Sequence, residues 1–115
     1  MKITGIDKTN TESYNWGQNC LGWPLLNTPG LSVKLENMPS GTIEKQHFHM
    51  NAQQFFFILK GEAAFYIEGQ KHILKNGQGF LVAPKAKHYI QNATNEVLEF
   101  LVISQPSAIT DRIDL

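Results

Sequence analysis

A chain of 115 residues has the length of one domain and can bury a core of its own. Ten basic and ten acidic side chains leave a net charge of zero, with no run of like charges, so nothing predicts nucleic acid or a membrane surface as a partner. Hydrophobic residues at 42% and charged ones at 17% exclude disorder, and the single cysteine, Cys20, excludes an internal disulfide framework.

The first eight residues, Met-Lys-Ile-Thr-Gly-Ile-Asp-Lys, lack the apolar core of a signal peptide. No apolar stretch approaches the ~20 residues of a membrane helix, and a cytoplasmic protein is the expectation. Residues 1–30 show no steady period. Trp16, Trp23, Pro24 and Pro29 predict an irregular arm packed on the rest of the domain, its tryptophans capping an opening, anchoring the arm or filling a subunit interface.

From residue 31 the pattern is strand after strand. Residues 31–38 alternate, with Leu31, Val33 and Leu35 on one face and Ser32, Lys34 and Glu36 on the other, as in a half-buried strand. Pro39-Ser40-Gly41 turns the chain, and residues 42–50 extend again. Residues 55–59 are continuously apolar, which predicts a strand buried on both faces. Residues 63–67 and 70–74 flank Glu68-Gly69, a two-residue hairpin turn. Residues 80–83, 88–92 and 97–104 are the last strands, and the polar tail 105–115 is expected on the surface. Roughly eight short strands with regular turn signals and no amphipathic helix predict an all-β sandwich or barrel. No repeat or linker divides the chain, so one domain is expected over 1–115: arm 1–30, barrel core 31–104 and tail 105–115.

His47 and His49 stand at i and i+2 of a predicted strand, so both imidazoles point to one face, close enough to chelate one ion. A bare His-x-His is weak on its own, being compatible with two polar residues on an exposed strand. Its surroundings are specific. Gly41, His47, His49, Gln54 and Gly61 resemble the first signature of the cupin family, G-x5-H-x-H-x4-E-x6-G, with Gln54 in place of the usual glutamate. Gly77, His88 and Asn92 resemble the second, G-x5-P-x-G-x2-H-x3-N, with Pro84 displaced by one position and Lys85 in place of the inner glycine.

The resemblance implies a cupin-type jelly-roll barrel, or double-stranded β-helix, with a metal inside its open end. His47, His49, Gln54 and His88 would be the ligands. The ion would be one divalent transition metal among Fe, Mn, Zn, Ni, Co and Cu, all of which imidazole suits. A neutral amide cancels none of the ion's charge. Gln54 therefore implies either a stronger Lewis acid that takes an anionic substrate, or a loose fourth position, with Gln54 bonded to a metal-bound water as the alternative to direct ligation.

Lys45, sharing parity with the histidines, is a candidate for pairing an anionic ligand, or else reaches solvent. Phe56, Ile58 and Ile90 are candidate pocket walls, while Phe48 should face away. Tyr66, Tyr89 and Glu99 are chemistry-bearing residues that no spacing singles out, and His72 and Cys20 have no partner in any signature. The family resemblance favours a metal-dependent enzyme, oxygenase-like, acting on a small organic molecule, with anions among the candidates. A non-catalytic barrel that binds a small ligand or metal is the first alternative. A sugar isomerase or epimerase is the second, weakened by the lack of a phosphate-binding cluster, since Arg112, the only arginine, lies in the tail. Exposed sheet edges and the apolar arm predict a homodimer.

Overall fold

The computed structural model describes residues 5–108 and 110–115, so residues 1–4 of the expected arm and 109 of the expected tail lie outside the described residues. The strands are β1 (Tyr14–Gly17), β2 (Cys20–Asn27), β3 (Ser32–Met38), β4 (His47–His49), β5 (Gln53–Lys60), β6 (Ala63–Ile67), β7 (Gln70–Leu74), β8 (Gly79–Val82), β9 (His88–Gln91), β10 (Leu98–Gln105) and β11 (Arg112–Asp114). They form two antiparallel sheets, in the orders β1-β2-β3-β10-β5-β8 and β11-β4-β9-β6-β7. From β3 onward the chain passes repeatedly from one sheet to the other, which is the winding of a jelly-roll barrel. No described helix is long and apolar enough to cross a membrane.

Local chemistry sets the joints. Glu68 and Gly69 both have positive φ, 48° and 79°, which is the two-residue turn whose twist suits a hairpin, and Ile67 pairs with Gln70 across it. Between the sheets lie Phe65, Phe100, Met38, Ile58, Ile90 and Leu98, all fully buried. Truncating one of these aromatic rings to alanine costs about 3–5 kcal/mol.

Four expectations need correction. The segment read as an irregular arm is irregular only over 5–13; β1 and β2 then extend the larger sheet beyond β3. Register breaks at Asn15/Gly17 and at Pro24/Leu26 hide their period. The strand expected over 42–50 is only His47–His49, with Ile43 making an isolated bridge to Gln91. The tail 105–115 is not all surface chain, because Arg112–Asp114 pairs with β4.

The fourth correction concerns the larger sheet's two faces. The apolar run of β5 is buried on one side only: Gln54, Phe56 and Ile58 point inward, while Phe55 and Leu59 are exposed. In β3 the polar parity faces the barrel interior, with Ser32, Glu36 and Met38 buried, although Leu35 is covered as well. The outer face therefore carries apolar rows: Leu81, Phe55, Ile103 and Val33 pair in register across four strands, and Phe57, Leu101, Leu35 and Trp23 form a second row.

Candidate metal centre

The smaller sheet presents the histidines. His47 and His49 share the inward face of β4, and His88 at the head of β9 is the register partner of His47. All three are buried, and their ligating nitrogens lie within 4.8 Å of one another. Ring centroids are 4.3 Å apart for His47 and His88, 5.1 Å for His47 and His49, and 5.9 Å for His49 and His88.

The other ring nitrogens fix the tautomers. His47 Nδ1 lies 2.9 Å from Lys45 O, His88 Nδ1 lies 2.9 Å from Ala86 O, and His49 Nδ1 lies 2.8 Å from Asp111 Oδ1. Each of those oxygens can only accept, so each Nδ1 carries the proton and donates it. Three Nε2 lone pairs are left facing the barrel interior. Burial disfavours imidazolium, holding His47 down to about 3 and His88 down to about 4, with the positive charge of neighbouring groups adding to the effect. His49 is lowered too, again by burial, with Asp111 pulling the other way. The triad is thus neutral, buried and convergent, and is positioned to bind a metal ion.

Gln54 arrives from β5, on the opposite sheet. Its Nε2 donates to Ser104 Oγ at 3.0 Å, and its Oε1 lies 3.2 Å from His88 Nε2. Phe56, two residues on, packs its ring 5.9 Å from that of His88 and lines the cavity. The remaining candidates are elsewhere. Ile58 and Ile90 are fully buried in the core and do not line the cavity. The Lys45 side chain is exposed, because β4 begins only at His47 and strand parity does not extend back to it. Phe48 faces away as expected, in register with Ile113. Tyr66 and Tyr89 stack on each other at 4.4 Å, and Glu99 pairs with Lys8 at 2.6 Å.

A cavity of about 250 Å³ opens from His47, His49 and Gln54. Its far wall is built from residues outside the expected set. Tyr14 Oη donates to Glu36 Oε2 at 2.5 Å, and Gly22 leaves the space for that phenol, since a Cβ there would collide with the Tyr14 ring. Lys34 lines the same wall, and among the described residues it has no ion-pair partner. Arg112 reaches Glu44 at 3.5 Å and Asp114 at 2.7 Å. Burial pushes the Glu44 carboxyl up to about 8, and burial also raises Glu36 despite the Tyr14 hydroxyl. Lys34 and Glu36 share parity with the buried Ser32 and Met38, the one signal by which the sequence could have revealed them; Tyr14, Glu44 and Arg112 carry none.

A barrel that brings three neutral imidazoles and an amide to one interior point, under a polar cavity, defines a small double-stranded β-helix protein with a candidate metal centre. Residues 34–104 match the Cupin domain model, and the chain belongs to the cupin family. An uncharacterized protein of Aquifex aeolicus (strain VF5) is 36% identical over 66 residues, 57% of this chain and 54% of that one, so the chain spans about half the length of that relative. Among solved structures, an RmlC-like cupin from Shewanella frigidimarina superposes with a TM-score of 0.83 at 18% identity, covering 94% of this chain and 95% of that one. The polyketide cyclase RemF from Streptomyces resistomycificus gives 0.83 at 10% identity, covering 99% and 86%. At those identities the likeness is one of fold.

Proposed function

We propose that the chain holds one divalent transition metal through His47, His49 and His88, with the Gln54 amide oxygen as fourth ligand, and that it is an oxygenase-like enzyme acting on a small organic anion. The observation that carries the metal is the pairing of His88 Nε2 with Gln54 Oε1. With Nδ1 committed to Ala86 O, that Nε2 is a lone pair, so two acceptors face each other across 3.2 Å. A cation between them turns a repulsion into two bonds. Such an ion would supply Lewis acidity to a ligand oxygen and, if redox-active, reactivity toward dioxygen.

The chain's own residues supply the rest. No carboxylate stands among the four proposed ligands, so an anionic substrate would be the neutralising partner. Lys34 and Arg112 put positive charge on the cavity wall, and Phe56 excludes water beside His88. Tyr14 donates its hydroxyl proton to a hydrogen bond with Glu36 at a position facing the cavity, and the buried carboxyl, its pKa raised by burial, is the group suited to proton transfer. That a polyketide cyclase is built on the same fold supports catalysis in a barrel of this kind. The apolar rows on the outer face of the larger sheet support a homodimer, and the lone cysteine supports a cytoplasmic setting.

Elemental analysis of protein purified without a metal-affinity tag, beside the His47→Ala/His49→Ala variant, tests the centre. One equivalent of metal in the native chain and none in the variant is the expected result. No uptake after reconstitution with Fe(II), Mn(II) and Zn(II) would overturn it. Oxygen consumption with small carboxylic acids, supported by a redox-active ion and not by Zn(II), tests the enzyme. A loaded protein that binds such acids with no turnover would be a binding barrel instead.

A further inference from the structure

The tail segment that sequence patterning assigns to the surface reaches the metal centre through a single carboxylate. Asp111 immediately precedes β11, and its side chain is nine-tenths buried. Among the described residues, every hydrogen bond it accepts comes from the stretch that carries His49. Oδ1 takes the His49 Nδ1 proton at 2.8 Å. Oδ2 takes the backbone N–H groups of Asn51 and Ala52, each at 2.9 Å. The Asp111 backbone carbonyl accepts from Met50 N at 3.2 Å. One residue thus clamps the imidazole and the turn behind it at once.

The other two histidines lean on backbone carbonyls two residues upstream, Lys45 O and Ala86 O, which belong to the segments leading into their own strands. His49 alone depends on a side chain 62 residues away in sequence. The carboxylate also answers a charge problem. Three neutral imidazoles and an amide give a divalent ion no compensating charge, and the Asp111 carboxylate, one imidazole removed, is a fixed negative charge bonded to that set. An imidazole whose Nδ1–H is held by a carboxylate is a more basic ligand at Nε2, and removing such a partner typically weakens metal binding about 10–100-fold.

We propose that Asp111 is a positioning residue of the metal centre, orienting His49 and supplying the negative charge that its ligands lack. This rests on the reading that the triad holds a divalent cation.

The test is competition of the full-length chain and its Asp111→Asn, Asp111→Ala and Asp111→Glu variants against a chelator for Zn(II) and Co(II). Circular dichroism and melting of the metal-free proteins run alongside. Asp111→Asn and Asp111→Ala are expected to bind about 10–100-fold more weakly, and Asp111→Glu to recover part of the loss. The Co(II) absorption bands should shift in Asp111→Asn, a change that mere loosening of β11 would not produce. In the metal-free native chain, the His49 Nδ1–H should appear by NMR as a slowly exchanging proton, and this holds even if a variant fails to fold. Native protein that takes up metal, with Asp111→Asn folded and equal in affinity and spectrum, would overturn the role of Asp111 while leaving the centre intact. A native His49 without that protected proton would overturn it as well. Native protein that takes up neither ion would remove the centre itself, and with it the role.

Discussion

His88 Nε2 and Gln54 Oε1 face each other across 3.2 Å with no proton available to join them. The amide could relieve this by rotating half a turn, since the Ser104 hydroxyl can serve either end of it. The orientation present is the one that suits a cation. Placing a glutamate here would add a full negative charge to the ligand set, so Gln54→Glu is expected to tighten Zn(II) or Co(II) binding by about tenfold or more, and Gln54→Ala to weaken it by a similar factor. Chelator competition reads both. Equal affinity in all three proteins would place the amide outside the coordination sphere.

Much of this centre is legible in the sequence because chemistry and spacing coincide. His47, Phe48 and His49 alternate on one strand, and the two signatures bracket the turns at Gly41, Gly61 and Gly77, each of which has positive φ. The β6–β7 hairpin turns at Glu68-Gly69, where its residues predict it. The hidden part depends on contacts distant in sequence. Asp111 meets His49 across 62 residues, and Tyr14 meets Glu36 across 22. The polar parity of β3 reads as a solvent face because a polar cavity, not an apolar core, receives Lys34 and Glu36. The tail reads as surface because β11 is exposed, although Ala108, Asp111 and the Arg112 side chain turn in toward the cavity and the triad.

Stability of the metal-free chain should pass through a maximum at about pH 6.5, where the opposing slopes of the two histidines and of Glu44 cancel. Burial holds His47 and His88 neutral down to about 3 and 4, while an unfolded imidazole gains its proton near 6.5. Between those values the unfolded chain binds more protons, so acid destabilises the fold from pH 6.5 downward. Glu44 runs the other way. Burial raises it to about 8 from an ordinary 4.5, so the folded chain binds the extra proton in that window and stability falls as pH rises through it. Thermal melts in chelator at pH 3.5, 6.5 and 8.5 should be highest at 6.5, and Glu44→Gln should flatten the alkaline side. A native melting temperature still rising at pH 8.5 would mean that Glu44 is ionised in the fold.

The Tyr14–Glu36 pair joins the first strand to the cavity. Glu36 is buried and, among the described residues, Tyr14 is its one hydrogen-bond donor. Tyr14→Phe leaves that carboxyl without a partner and should cost about 1–3 kcal/mol in urea unfolding of the metal-free protein. The Tyr14→Phe/Glu36→Leu double variant removes both ends, and should cost less than the two single changes added together. Additive costs would mean that water in the cavity, and not the phenol, satisfies Glu36.

The outer face of the larger sheet yields the prediction on assembly. Phe55 and Phe57 stack with ring centroids 6.5 Å apart, Leu81 and Ile103 flank Phe55 in register, and Phe55 and Leu81 remain 38% and 59% exposed. Side chains opposite one another on antiparallel strands share a face, so these residues form one continuous apolar surface rather than scattered exposures. A second copy of the chain, meeting that surface about a two-fold axis, would cover it with like residues. Sedimentation at micromolar concentration should give a dimer of the 13.0 kDa chain. Phe55→Asp/Leu81→Asp places two charges at its centre and should shift the distribution to monomer, with metal uptake equal to that of the native chain, because both side chains point away from the triad. A native chain that sediments as monomer would leave this face without a second copy as its cover.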